Sequence, residues 1–188
     1  MFENYIKSFF DITANTVVTN QSQQSQNIDH AIELVYAKLS EVKQNRKTVY
    51  LVGNGGSNAI VSHMSIDLIN ACKIKAYPLT ESSQLTCFGN DYGYENVFSK
   101  QLETCFDDGD LLIAVSSSGN SKNILNAVEV AKKKNVFVLT FSGFQPENYL
   151  RRIGDLNFWI NCSEYGKVEI GHALLCHIIT DYFLSKLK

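Results

Sequence analysis

The chain has two prolines in 188 residues, a single tryptophan and no Cys-x-x-Cys pair. So few prolines leave little room for disordered linkers. The five cysteines are Cys72, Cys87, Cys105, Cys162 and Cys176, odd in number and widely spaced. That excludes a zinc knuckle or a disulfide framework and points to reduced, mostly buried thiols. There is no basic block, and the net charge is −2, which argues against nucleic acid as a ligand. No run reaches the ~18 apolar residues of a membrane helix. Met1 to Val17 lacks a basic start followed by an unbroken apolar stretch, so no secretory signal is expected. The expectation is a cytoplasmic protein with neither membrane nor nucleic-acid partners.

The rest of the composition is ordinary: 45% hydrophobic, 19% charged and 11% aromatic. At this length one domain, residues 1–188, can bury a sizeable core. Apolar spacing predicts helices over 1–20 and 27–43, which together form an N-terminal helical arm over residues 1–45. That arm packs against another subunit or covers its own sheet edge. From residue 48 strands and helices alternate. Strands are expected at 48–52, 74–79, 111–115, 136–141 and 156–160. Helices are expected at 57–71, 82–89, 95–105, 121–134, 146–152 and 166–187. Continuous Val/Ile/Leu runs mark strands buried on both faces, and the alternation marks right-handed crossovers in an α/β fold with a five-stranded parallel sheet.

Two small-residue loops follow two of these strands. Gly53-Asn54-Gly55-Gly56-Ser57 comes after Val49–Val52, and Ser116-Ser117-Ser118-Gly119-Asn120-Ser121 comes after Leu111–Val115. Each reads as strand, turn, helix start. Small residues let a ligand approach the backbone, and a helix start offers free N–H groups and a positive dipole end. One such loop is explained by a tight turn with a helix cap; two at successive strand ends point to a bound anion of the phosphate kind. Neither loop is a nucleotide-triphosphate or dinucleotide fingerprint, because no Gly-Lys-[Ser/Thr] and no final glycine follow.

His63 and Asp67 lie four apart on the helix opened by the first loop. They share a face, as an acid–base pair, as metal ligands, or as a plain surface pair. Glu169, His172 and His177 sit on a strongly apolar C-terminal helix, where ionisable groups are costly unless used or paired. Glu169 and His177 are separated by about 12 Å of helix rise. They meet at one centre only if Glu169 lies at an unwound helix start or if different subunits supply them. Asn90-Asp91-Tyr92-Gly93-Tyr94 reads as a polar turn.

Together these motifs resemble the SIS (sugar isomerase) domain, and specifically the phosphoheptose isomerase family. The resemblance spans nearly the whole chain: Gly-Asn-Gly-Gly-Ser at 53–57, His63, the Asn-Asp-x-Gly-[Tyr/Phe] turn at 90–94, Val97-Phe98-Ser99, the serine loop at 116–121, and Glu-x-x-His-x-x-x-x-His at 169–177. It implies a three-layer sandwich of flavodoxin-like topology with two leading helices, and a homotetramer with active sites between subunits. It implies a zinc-dependent isomerase converting sedoheptulose 7-phosphate to a glycero-manno-heptose 7-phosphate for surface polysaccharide. By the resemblance Gly55, Gly56, Ser57, Ser116, Ser117, Ser118 and Ser121 hold the phosphate, and Asn54, Asp91 and Glu169 meet the sugar. His63, Asp67, Glu169 and His177 hold zinc, with Asp67 as catalytic base and His177 as catalytic acid. The chain departs from the family pattern in three places: Asp67 replaces a glutamate, Glu169 replaces a glutamine, and Gly166 stands where an acidic residue is usual. These changes leave two further readings, an isomerase for another phosphosugar and a non-catalytic domain that binds a phosphosugar or a protein.

Overall fold

The computed structural model describes residues 1–187. The first helix, α1 (Phe2–Ala14), is shorter than the 1–20 expected. Side chains turn the chain at its end: Asn15 Nδ2 donates to the Asp11 carbonyl at 2.7 Å, and Thr16 Oγ1 to the Thr13 carbonyl at 2.7 Å. The β-branched residues Thr16 to Thr19 then favour extension, and Val17–Asn20 forms strand β1. A two-residue strand β2 (Ser25–Gln26) pairs back on β1. The N-terminal arm is therefore only partly helical.

Helix α2 (Ile28–Gln44) starts at Asn27, whose side chain accepts the N–H groups of Asp29 and His30. The alternating units follow: β3 (Thr48–Gly53), α3 (Gly55–Asn70), β4 (Lys75–Pro78), α4 (Ser82–Tyr92), α5 (Ser99–Cys105), β5 (Leu111–Ser116), α6 (Lys122–Lys133), β6 (Phe137–Ser142), α7 (Tyr149–Ile153), β7 (Leu156–Trp159) and α8 (Tyr165–Ser185). The helix expected over 95–105 is split, because a 3₁₀ turn at Tyr94–Asn96 precedes α5.

The sheet order is β2-β1-β7-β6-β5-β3-β4. Five strands, β3 to β7, are parallel. Two more, β1 and β2, extend the β7 edge antiparallel, so the sheet has seven strands rather than five. Central strand β5 is buried along its whole length. Its residues alternate between two cores: Leu111, Ile113 and Val115 face α2, α3 and α8, whereas Leu112 and Ala114 face α5, α6 and α7. Two helical layers thus enclose one sheet, and each fully buried leucine or isoleucine contributes about 1.5–3 kcal/mol.

Connections leave β3 and β5 in opposite directions along the sheet. The crevice between their carboxyl ends is the switch point where such sheets bind ligands, and both small-residue loops open there.

His172 lies within this core, fully buried, with Nε2 at 3.0 Å from the Ser142 carbonyl. Burial lowers its pKa to about 4 from the usual 6.5. Between those values the unfolded chain binds the extra proton, so stability falls as pH drops through that window and is complete above it. A shift of that size corresponds to about 3 kcal/mol. Urea midpoints should fall between pH 7.5 and pH 4.5, and His172→Leu should flatten the slope. An equal slope in the variant would assign the pH dependence to other groups.

Candidate active site

The first loop is held tight by its glycines. A Cβ on Gly53 would stand 2.7 Å from the Ser57 carbonyl, and Gly55 takes φ +52°. Ser57 is buried in the first turn of α3. In the second loop Gly119, at φ +65°, lies so close to Asn148 that any side chain would overlap its amide. The Gly119 N–H reaches the Ser116 carbonyl at 3.0 Å and the Ser116 hydroxyl at 3.2 Å. Ser116 Oγ in turn donates to Ser121 Oγ at 3.4 Å, and Ser118 Oγ accepts the Asn120 N–H. The buried Ser117 hydroxyl has no partner among the described residues. An unsatisfied buried hydroxyl is costly unless a ligand or water completes it.

The loops are joined by two asparagines. Asn54 and Asn123 exchange two amide hydrogen bonds, each 2.9 Å, and the Tyr94 hydroxyl donates to Asn54 Oδ1 at 3.0 Å. Asn123 went unnoticed in the sequence; its signal is a polar side chain on the buried face of a helix's first turn. Tyr94 lies within the quoted 90–94 motif. Asp91 is exposed in the last turn of α4, where it accepts from Asn90 Nδ2, so residues 90–92 end a helix and Gly93 makes the turn.

Helices α3 and α8 pack side by side. A Cβ on Gly56 would meet the Glu169 carboxylate at 2.4 Å, and about two to three turns further along the same two helices His63 and Asp67 meet His177. The two helices therefore run in the same direction. Asp67 Oδ2 lies 3.8 Å from His63 Nε2 and 3.5 Å from His177 Nδ1, and the two imidazoles meet edge to face at 5.0 Å. The cluster borders a largely apolar cleft lined by Ile60, Met64, Ala173 and Cys176. Burial, with the Asp67 charge adding to it, pushes the Cys176 thiol up to about 12, so it packs there as a neutral group.

One ligand atom from each of His63, Asp67 and His177 lies within 4.8 Å of the others. Tetrahedral zinc bonded at about 2.0–2.1 Å separates neighbouring donors by about 3.4 Å, and two imidazoles with a carboxylate are a fitting donor set. Asp67, although short, reaches both histidines. Glu169 stands apart from this cluster. Because α8 is wound from Tyr165 onwards, Glu169 lies two turns before His177 and against the start of α3. The unwound helix start that would have brought them together is therefore not formed. His172 lies on the opposite, core side of α8.

The SIS domain model matches residues 8–143. The phosphoheptose isomerase of Campylobacter concisus is 38% identical over 159 residues, covering 81% of this chain and 84% of that protein. The structure of phosphoheptose isomerase GmhA from Neisseria gonorrhoeae superposes with a TM-score of 0.79 at 25% identity, covering 97% of this chain and 99% of that one. The Francisella tularensis phosphoheptose isomerase gives 0.83 at 25% identity, covering 97% and 95%. With the parallel sheet, the paired loops and the histidine cluster, these matches establish that the chain belongs to the SIS domain family and is of the phosphoheptose isomerase type.

Proposed function

We propose that this protein is a sugar-phosphate isomerase that interconverts sedoheptulose 7-phosphate and D-glycero-D-manno-heptose 7-phosphate, supplying heptose for surface polysaccharide. The observation that carries the reading is the layout of α3, which has a glycine-lined N-terminus, with the Glu169 carboxylate beside Gly56, at one end and the His63–Asp67–His177 cluster further along. Ser57 and His63 are six residues apart, about 9 Å of rise. A phosphosugar with several carbons between phosphate and carbonyl suits that spacing. Relatives named phosphoheptose isomerase, 30–38% identical, support the substrate.

In this reading Gly55, Gly56 and the hydroxyls of Ser57, Ser116, Ser117, Ser118 and Ser121 bind the phosphate, while Asn54 and Asp91 orient the sugar. Asp67 takes a proton from C1, next to the C2 ketone, and the ketone oxygen is protonated, giving an enediol. The carbon proton then returns to C2, the O1 proton leaves, and C1 becomes the aldehyde. His177 moves the protons at oxygen. Asp67 Oδ2 faces the imidazoles, which leaves Oδ1 for the carbon acid. His63, Asp67 and His177 also fit zinc, which supplies Lewis-acid stabilisation of the developing oxyanion when bound.

Glu169, remote from its own chain's cluster, contributes its carboxylate to a neighbouring subunit's site in a homotetramer. The tetramer is supported by apolar surface on the helices concerned. Every residue of α1 is at least partly exposed, Phe2 at 76% and Phe10 at 66%. Ile66 and Ile69 on α3 and Ile170, Leu174 and Ile178 on α8 are exposed too. No helix among the described residues is long and apolar enough to cross a membrane, and a cytoplasmic site of action fits a phosphorylated substrate.

The test is NMR of zinc-supplemented protein with sedoheptulose 7-phosphate, with the assembly size read by sedimentation. New aldose signals from a four-chain species would support the proposal. Binding without conversion would make the protein a phosphosugar-binding domain instead. Ser117→Ala should raise KM about tenfold or more, since a hydrogen bond to a charged ligand is removed, while kcat and Tm hold. An unchanged KM would place that hydroxyl outside the phosphate site.

A further inference from the structure

Asparagine before a helix normally caps it. Asn27 does so for α2, and the Asn148 side chain accepts the Arg151 N–H at the start of α7. Asn54 occupies the same position before α3 with extended backbone, yet it makes no side-chain cap. Its amide is drawn sideways to Asn123 and Tyr94.

The direction of that amide is set by a backbone group. The Ile124 N–H is shared between the Ser121 carbonyl and Asn123 Oδ1, each at 3.0 Å, and because a main-chain N–H can only donate, it favours oxygen over nitrogen on that side of the Asn123 amide. Asn123 therefore presents oxygen to Asn54 Nδ2 and nitrogen to Asn54 Oδ1. The Tyr94 hydroxyl fills the remaining acceptor site on that oxygen. Tyr94 is itself held by α6: Asn126, one turn beyond Asn123, donates Nδ2 to the Glu95 carbonyl at 2.8 Å and to Asn96 Oδ1 at 3.2 Å. What remains free is one Asn54 N–H and the first-turn N–H groups of α3.

We propose that Asn123 and Tyr94 are positioning residues. They hold the Asn54 side chain off the start of α3, so that the helix N–H groups and one amide N–H of Asn54 are presented together to the oxygens of the bound phosphosugar. This rests on the isomerase reading for the identity of the ligand. It makes Asn54 a donor only towards the ligand and ties the first loop to the second, because Asn123 lies two residues beyond Ser121 in the first turn of α6. Asn123 is 3% exposed, and its partners are Asn54 and its own helix.

The test is a double-mutant cycle with Tyr94→Phe and Asn54→Ala. Tyr94→Phe removes a single hydroxyl from a largely exposed residue, so the fold is kept even where Asn123→Ala fails to fold. With sedoheptulose 7-phosphate, Tyr94→Phe should raise KM about three- to tenfold and change kcat less than twofold. In the Asn54→Ala background the same substitution should have no effect, since the group it positions is gone. Two effects that simply multiply would overturn the inference. The cycle repeated on the Kd for a heptitol 7-phosphate, which keeps the hydroxyls and the phosphate but has no carbonyl to isomerise, by calorimetry, is independent of turnover. Coupling there, with no isomerisation by the native protein, upholds the positioning role and removes the isomerase reading. Additivity there, with turnover intact, removes the positioning role alone.

Discussion

His177→Ala should lose at least about a thousandfold in kcat while Tm and assembly size stay native. The imidazole is 48% exposed on α8, so its removal leaves no cavity and breaks only surface contacts with Asp67 and the His63 ring, the ion pair being of the kind that contributes about 0–1 kcal/mol. In the proposed reaction it would have two tasks, moving protons at the sugar oxygens and donating to zinc. General acid–base groups alone contribute about 10²–10⁴-fold. His63→Ala, which removes a proposed metal ligand and leaves the acid, should lose less kcat when zinc is in excess. The two variants compared by NMR turnover separate the tasks. Activity within tenfold of native for His177→Ala would move the chemistry away from α8.

Asp67→Asn is expected to be equally damaging for a different reason. The amide keeps size and shape but cannot accept a carbon-bound proton, and it no longer offers charge to the two imidazoles 3.5 and 3.8 Å away. Turnover should fall about a thousandfold or more, and zinc retained after dialysis, read by atomic emission, should fall with it. Asp67→Glu restores the acid but adds a methylene. The imidazoles already bracket the carboxylate, so a longer arm must rotate it out of line, and misplacement by about 1 Å costs on the order of a hundredfold. Turnover restored or raised by the glutamate would show that the shorter acid handicaps this substrate. Native activity in the asparagine variant would remove Asp67 from the reaction altogether.

The five parallel strands were readable because burial on both faces writes continuous apolar runs such as Leu111–Val115. β1 and β2 were not, since four and two residues are too few to show a period, and Val17–Asn20 follows a helix pattern without a Gly or Pro break. The anion loops were legible from small residues placed between strand and helix. His63 and Asp67 were legible as a pair from helical spacing, but their meeting with His177 depends on α3 and α8 lying side by side, which no local pattern encodes; the family resemblance supplied it. Glu169 shows the limit of that resemblance, because within one chain a wound α8 carries it to Gly56. Asn123 and Tyr94 stayed hidden because polar residues near turns have ordinary turn chemistry as their explanation.

The antiparallel edge has a consequence for the order in which the protein is made. Thr19 on β1 pairs with Asn157 on β7, so β1 leaves the ribosome long before its partner. At a synthesis rate of about 5–20 residues per second, β1 waits roughly 7–28 s for β7. During that interval Val17 and Val18 form an unpaired apolar edge, the kind of surface that recruits strands from other nascent chains. The units from β3 to β6 can assemble meanwhile by local crossovers. Closure of the sheet on this edge thus waits for β7, and a chain stalled before residue 156 would carry its sticky strand permanently.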